Sequence, residues 1–305
     1  MIGIYAHHAG SGHLHRARAI RAELTEDAQI LSSAPGADVV LPLDHSAGPS
    51  TDATAGDTLH WAPVHETGLT ERMAMISDWI RTHRPSVFYV DVSVEVALLA
   101  RLHGVPVATL AMPGVRDDAP HQLAYAQAAA IIAAWPDWVP APAHLAAHRD
   151  RLHRVGGITR LRPEPGVERG EELVMLRGAG GDDWDARDWP EATVLGGDNR
   201  VDDPMPYLQR ARAVIAAAGQ NSVADLAAAG APAIVLPQDR PFGEQHATAR
   251  LLDEAGIAVT PAHPPRPEQW EDFIAEAVDR AAGWPRWQTD GAAARAARVI
   301  EEAGR

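Results

Sequence analysis

"AAAGQNSVADLAAAG", residues 216–230, closes one apolar run and opens another. Just upstream, Ala213-Val214-Ile215-Ala216 is short and continuous, the pattern of a strand buried on both faces. Val223, Leu226, Ala227 and Gly230 then recur at helical spacing. Between the two runs stand Gly219, Gln220, Asn221 and Ser222. A helix start exposes unpaired N–H groups and carries about half a positive charge. Glycine lets a phosphate approach that backbone, and serine adds a hydroxyl donor. The simpler use of Asn221 or Ser222 is to cap the helix. This loop alone does not choose between the two.

Two similar turns occur elsewhere, "AGSGH" at 9–13 and "RGAGG" at 177–181. Each follows a strand-like run. "IGIYAH", "VVLPL" (39–43), "SVFYVDV" (86–92), "VPVATLAM" (105–112) and "AIIAAW" (130–135) read as strands, with helices after "GSG" and near 69–83, 94–103 and 119–129. Residues 155–170, rich in Gly, Pro and Arg, read as a connector. The alternation then restarts with "ELVMLRG", a helix near 183–189, "ATVLGG", the helix "PMPYLQRA", the opening stretch, "PAIVLPQ" and "IAVTP". Helices over 267–282 and 290–303 close the chain. The expected fold class is α/β, two doubly wound parallel-sheet domains in tandem. Residues 1–157 form the first and 170–285 the second. Ligands of such sheets sit beyond the carboxyl ends of the strands, where all three glycine turns fall.

The chain has 305 residues, 46% hydrophobic and 22% charged, enough for two cores. It has no cysteine, which excludes disulfides, thiolate metal sites and cysteine nucleophiles. All 27 basic residues are arginine. Without lysine there is no Walker-type phosphate loop and no Schiff base. A net charge of −14 disfavours nonspecific binding to nucleic acid. No apolar stretch is long enough for a transmembrane segment, and the N-terminus does not read as a signal peptide, so the expected location is cytoplasmic. Peripheral membrane contact stays open.

Residues 200–259 resemble the C-terminal half of family 28 glycosyltransferases, which include the peptidoglycan N-acetylglucosaminyltransferase. The resemblance is carried by Met205-Pro206, by Ala218-Gly219-Gln220-Asn221-Ser222 with Asp225, by Gly230-Ala231-Pro232-Ala233, and by Gln245 with Thr248-Ala249. "GSGHLHRA" and "RGAGG" resemble the family's other glycine loops. The resemblance implies the GT-B architecture, two Rossmann-like domains with a cleft between them. It also implies a nucleotide-sugar donor, UDP-linked, on the second domain and an acceptor on the first. The last helix, 286–305, is then expected to pack back on the first domain. Carried over by position, Gly219, Gln220, Asn221 and Ser222 contact the diphosphate and sugar, and Gly12, Gly180 and Gly181 lie near the phosphates. Met205 lies near the base, Asp225 meets the ribose and Gln245 the sugar. Asp225 stands where the family has glutamate, Thr248 where it has asparagine, and Gln220 where it has a small residue.

His13 closes the first glycine loop and is the candidate general base, since an imidazole titrates near neutrality. Its alternative use is to cap the helix or pair with a carboxylate. Asp91, at the end of the "FYVDV" strand, could orient an imidazole or cap the next helix. Arg16 and Trp61 are the candidate acceptor contacts. No metal is expected: the histidines of "HHAGSGHLH" point to different sides, and "DWD" at 183–185 reads as a helix start. No cofactor is expected. The leading expectation is an inverting, metal-independent glycosyltransferase. A nucleotide-sugar hydrolase, a 2-epimerase and a non-catalytic nucleotide-sugar binder are its rivals. The acceptor is not named by the sequence.

Overall fold

The first strand, β1 (Ile2–Ala6), is buried at every position, as an uncharged five-residue run allows. Its Gly3 has no room for a side chain: a Cβ there would come within 2.5 Å of the Phe88 ring. The chain continues through α1 (Gly12–Arg21), β2 (Ala28–Ser32), β3 (Val39–Val40), α2 (Thr67–His83), β4 (Val87–Asp91), α3 (Val94–Leu102), β5 (Val107–Ala111), α4 (Ala119–Gln127), β6 (Ala130–Ala133) and β7 (Leu152–Arg154). These seven strands form one parallel sheet, ordered β3-β2-β1-β4-β5-β6-β7. Ile2 pairs with both Ala28 and Val87, so the order reverses around β1. The first glycine turn leaves β1 at that switch point.

The second half repeats the plan. It contains β8 (Leu173–Leu176), β9 (Thr193–Leu195), α5 (Met205–Arg210), β10 (Ala213–Ala216), α6 (Gln220–Ala229), β11 (Ala233–Val235), α7 (Glu244–Glu254) and α8 (Trp270–Arg280). Its parallel sheet runs β11-β10-β8-β9. This is a computed structural model and describes residues 1–8, 10–46, 48–178 and 189–305. The helix expected near 183–189 lies outside the described residues except at its last position.

Several strands differ from the sequence reading. "VVLPL" shortens to two residues, because Pro42 has no N–H to give a ladder. "IAVTP" reduces to a single bridge, Ile234 to Val259, with Pro261 next. β2 and β7 were not expected: "AQILS" and "LHR" are short and carry polar residues at their ends.

The last helix, α9 (Ala292–Ala303), packs on α1 and across β4, β5 and β6. Ala292, Ala296, Ala297 and Ile300 enter the core of the first sheet, their small side chains letting the helix lie close. Trp284 and Trp287, just before it, belong to the core of the second half. The chain therefore crosses between the halves twice, and the two crossings touch. Gly157 N donates to Trp287 O at 3.1 Å, and Arg295 donates to Val155 O and Gln288 O. Gly156, at φ +86°, must be glycine, since a Cβ would meet Gln288 O at 2.1 Å.

Ile300→Ala is expected to destabilise the first half by about 2–5 kcal/mol through the cavity it leaves. Urea unfolding, with hydrogen exchange resolving the two halves, measures it.

Candidate active site

The helices that follow the first glycine turn and the "GQNS" turn point their N-termini at one another. Gly12 opens α1 and Asn221 is the second residue of α6. A Cβ on Gly12 would lie 2.4 Å from the Asn221 side-chain nitrogen, so a larger residue here would displace the Asn221 amide. Beside this contact lies a cleft of about 640 Å³, lined by Gly10, Ser11, Gly12, His15, Asn221, Ser222 and Asp225 and by the ends of β8 and β9. Arg160, Arg177, Arg200 and Arg240 also line it. Two helix N-termini and four guanidinium groups around one space suit an anion with several negative oxygens. Burial and the nearby Arg160 and Arg200 push His15 down to about 4, so it is neutral at physiological pH. A larger groove, about 1070 Å³, is lined by Arg18, Arg162, Ala229, Trp284 and Ala292. It lies at the ends of α1 and α6 remote from the glycine turns.

On the first-domain side, His13 Nδ1 lies 3.1 Å from Asp91 Oδ1. Asp91 ends β4 and is fully buried, whereas His13 keeps 18% of its side chain exposed. Arg16, one turn along α1, donates from Nε to Asp91 Oδ2 at 3.1 Å and from Nη2 to Asp91 Oδ1 at 2.9 Å. Burial alone would raise the Asp91 carboxyl. Arg16 and His13 outweigh it and hold Asp91 well below the usual carboxylate range. An ionised Asp91 accepts the Nδ1 proton of His13, which leaves Nε2 as the basic nitrogen. The turn after Asp91 is strained: Val92 sits at φ +59°, a left-handed conformation unfavourable for a β-branched residue. Ser93 then caps α3 by accepting from Val96 N, so Asp91 itself is not the cap.

The structure relocates several residues. Arg16, expected to draw in an acceptor, is 3% exposed and held by Asp91, because helical spacing turns it inward toward β4. Met205, expected near a nucleotide base, is buried among Leu195, Leu208 and Val223; its neighbour Pro204 lines the cleft instead. Gln245, expected on the sugar, is buried, and its side-chain oxygen accepts from Ala218 N and Gln238 N, tying together the loops after β10 and β11. Gly219 is the N-cap position of α6 in an extended conformation. Gln220 accepts from Arg16 through its side-chain oxygen, while its side-chain nitrogen is buried with no partner among the described residues. Gly180, Gly181 and "DWD" lie outside the described residues. Trp61 donates its indole N–H to Asp44 O and lines a small cavity with His7, whose ring meets His13 edge-on at 5.8 Å. The four arginines and His15 escaped the sequence reading. The lack of lysine was the available signal, since any cationic cleft in this chain must be built from arginine.

Among the described residues, two groups have metal-ligand spacing, His7 with His8 and Asp44, and His60 with Asp118 and His121. In each, an arginine already sits on a would-be ligand. Arg72 is 3.1 Å from Asp44 Oδ2, and Arg116 Nη1 is 3.2 Å from His121 Nε2. A guanidinium in that position repels a cation and occupies the lone pair it would need.

This geometry can be set beside known proteins. Residues 170–270 match the glycosyltransferase family 28 C-terminal domain. That segment spans β8 through the first residue of α8, and so carries the "GQNS" turn. No curated protein matches the chain by sequence. Among solved structures, the glycotransferase of kitacinnamycin superimposes with a TM-score of 0.67 at 17% identity, over 99% of this chain and 98% of the other. Acinetobacter baumannii MurG gives 0.65 at 14% identity, over 99% of each. LpCGTa, solved in complex with UDP, gives 0.63 at 14% identity, over 99% of this chain and 98% of that one. The architecture is GT-B, and the family 28 match falls in its second half.

Asp225 lines the cleft and accepts from the Thr159 hydroxyl on the connector. Burial pushes its carboxyl up to about 6, against the pull of Thr159 and Arg160. Between about pH 4 and that value the native state holds a proton that the unfolded chain has released. Stability therefore falls as pH rises through this window, and the deficit persists above it. Asp225→Asn is expected to stabilise the protein by about 2 kcal/mol at pH 7.5 and to change nothing at pH 3.5, read by urea unfolding at both values.

Proposed function

We propose that the protein is an inverting, metal-independent glycosyltransferase that moves a sugar from a UDP-linked donor to an acceptor hydroxyl. The observation that carries this reading is the His13–Asp91 pair beside an arginine-lined cleft, at the point where the two helix N-termini meet. The family 28 match over the donor-side half and the GT-B architecture support it.

The chemistry follows from the placement. The nucleoside diphosphate lies in the cleft, its oxygens against the start of α6, Ser222 and the arginines. His13 Nε2 removes the proton from the acceptor hydroxyl as that oxygen attacks the anomeric carbon. The bond from that carbon to the diphosphate oxygen breaks on the opposite face, which inverts the configuration. Charge growing on the diphosphate is met by N–H groups and guanidiniums already in place, so no ion is required. Asp91 stabilises the imidazolium that forms, without taking its proton. Asp225 stands within the same cleft for the ribose hydroxyls.

His13→Ala is expected to lower transfer by about a hundred- to ten-thousandfold and to leave UDP affinity nearly intact. Ser222→Ala should weaken UDP by about 1.5–3 kcal/mol, the worth of a hydrogen bond to a charged group. Calorimetry with UDP, and release of UDP from a panel of UDP-sugars with and without acceptor hydroxyls, check both. Release that is independent of any acceptor would point to a hydrolase. Tight binding with no turnover would point to a sensor. The product's anomeric configuration, and activity in excess chelator, test inversion and metal independence.

A further inference from the structure

Arg16 belongs to both halves of the site. Two of its nitrogens clamp the Asp91 carboxylate, and the third, Nη1, lies 3.4 Å from the side-chain oxygens of both Gln220 and Asn221. Those two residues open α6, immediately before Ser222. One side chain thus touches the orienting acid of the candidate base and the turn assigned to the donor.

Neutralising a buried acid does not account for this geometry. A lysine could supply the charge, but only a guanidinium offers two parallel donors to one carboxylate and a further donor pointing away. Its position also carries a penalty. Nη2 lies 3.2 Å from His13 Nδ1, and a fixed positive charge there works against the imidazolium that proton transfer creates. A group serving base strength alone would not be placed so. The Asn221 side-chain amide packs directly on Gly12, so the start of α1 meets the start of α6 here. Arg16 lies one turn along that same helix.

We propose that Arg16 is a positioning residue that ties the orientation of the His13–Asp91 pair to the position of the α6 N-terminus. The base is then aligned only when the two halves are closed on the donor. The proposal rests on the sugar-transfer reading above. Closure brings Gln220 and Asn221 against Nη1, Arg16 settles on Asp91, and Asp91 fixes the His13 ring. An open enzyme keeps the base but not its alignment, which limits wasteful transfer to water.

The test is a double-mutant cycle on kcat at saturating donor. Arg16→Lys keeps the charge and loses the bridge. It is expected to lower kcat at least tenfold while donor KM stays within about twofold. Removing both side chains of the turn, Gln220→Ala with Asn221→Ala, should lower kcat in the native background and not further in the Arg16→Lys background. Additive losses, or native kcat in Arg16→Lys, overturn the proposal and would reduce Arg16 to a counter-ion. A second readout needs no turnover. UDP added to the native protein should shift the His13 ring nitrogens in 15N NMR, and the shift should vanish in Arg16→Lys. If calorimetry shows UDP bound and His13 does not respond, the coupling is wrong while the sugar-transfer reading stands. If UDP does not bind, that reading fails and takes the coupling with it.

Discussion

Two helix N-termini pressed against each other across a cleft are an electrostatic conflict. Each carries about half a positive charge, and α1 and α6 touch where the Asn221 side-chain amide packs on Gly12. Four arginines line the space beside them, in a chain of net charge −14. Such an arrangement suits an anion. The parallel sheets, the glycine turns at their carboxyl ends and the connector that sets the angle between the halves all serve to bring these ends together. In the proposed function, a nucleoside diphosphate would relieve that conflict.

The two sides of the cleft handle charge differently. Within the first half, Arg16 is paired with Asp91 and Arg72 with Asp44, while Arg116 reaches across to Glu244 at the start of α7 in the second half. Arg160, Arg177, Arg200 and Arg240 line the cleft itself. The histidines at the first glycine turn are held neutral by burial where it is deep, His7 being pushed down to about 4 by burial and then by its neighbours His13 and His8. An uncharged ring can accept a proton, and an ionised Asp91 behind His13 favours that step. Strain at Val92 shows how tightly the acid is placed: the turn tolerates an unfavourable valine conformation and delivers Asp91 under the imidazole.

How much of this the sequence disclosed depends on where the information resides. The strand-to-helix turns are local features, so Gly12, His13, Asn221 and Ser222 could be picked out from spacing and residue type; Asp225 came from the resemblance, and all five lie at the cleft or its rim. The inward turn of Arg16 depends on a carboxylate 75 residues away, and sequence periodicity shows only that Arg16 is on a helix. Met205 and Gln245 were placed by resemblance, which transfers a position and not a rotamer; here packing under α5 and two backbone amides claim them. β2 and β7 lacked the β-branched density that marks a strand alone and exist because neighbouring strands supply the ladder.

The paired crossings at Gly156–Gly157 and Trp287–Gln288 act as a hinge with two pins. A single connector would let the halves swivel and slide. Two strands of chain bonded side by side leave mainly one motion, a rotation about the line through both. The last helix, which contributes no residue to the cleft, thereby restricts how the two halves that form it can move.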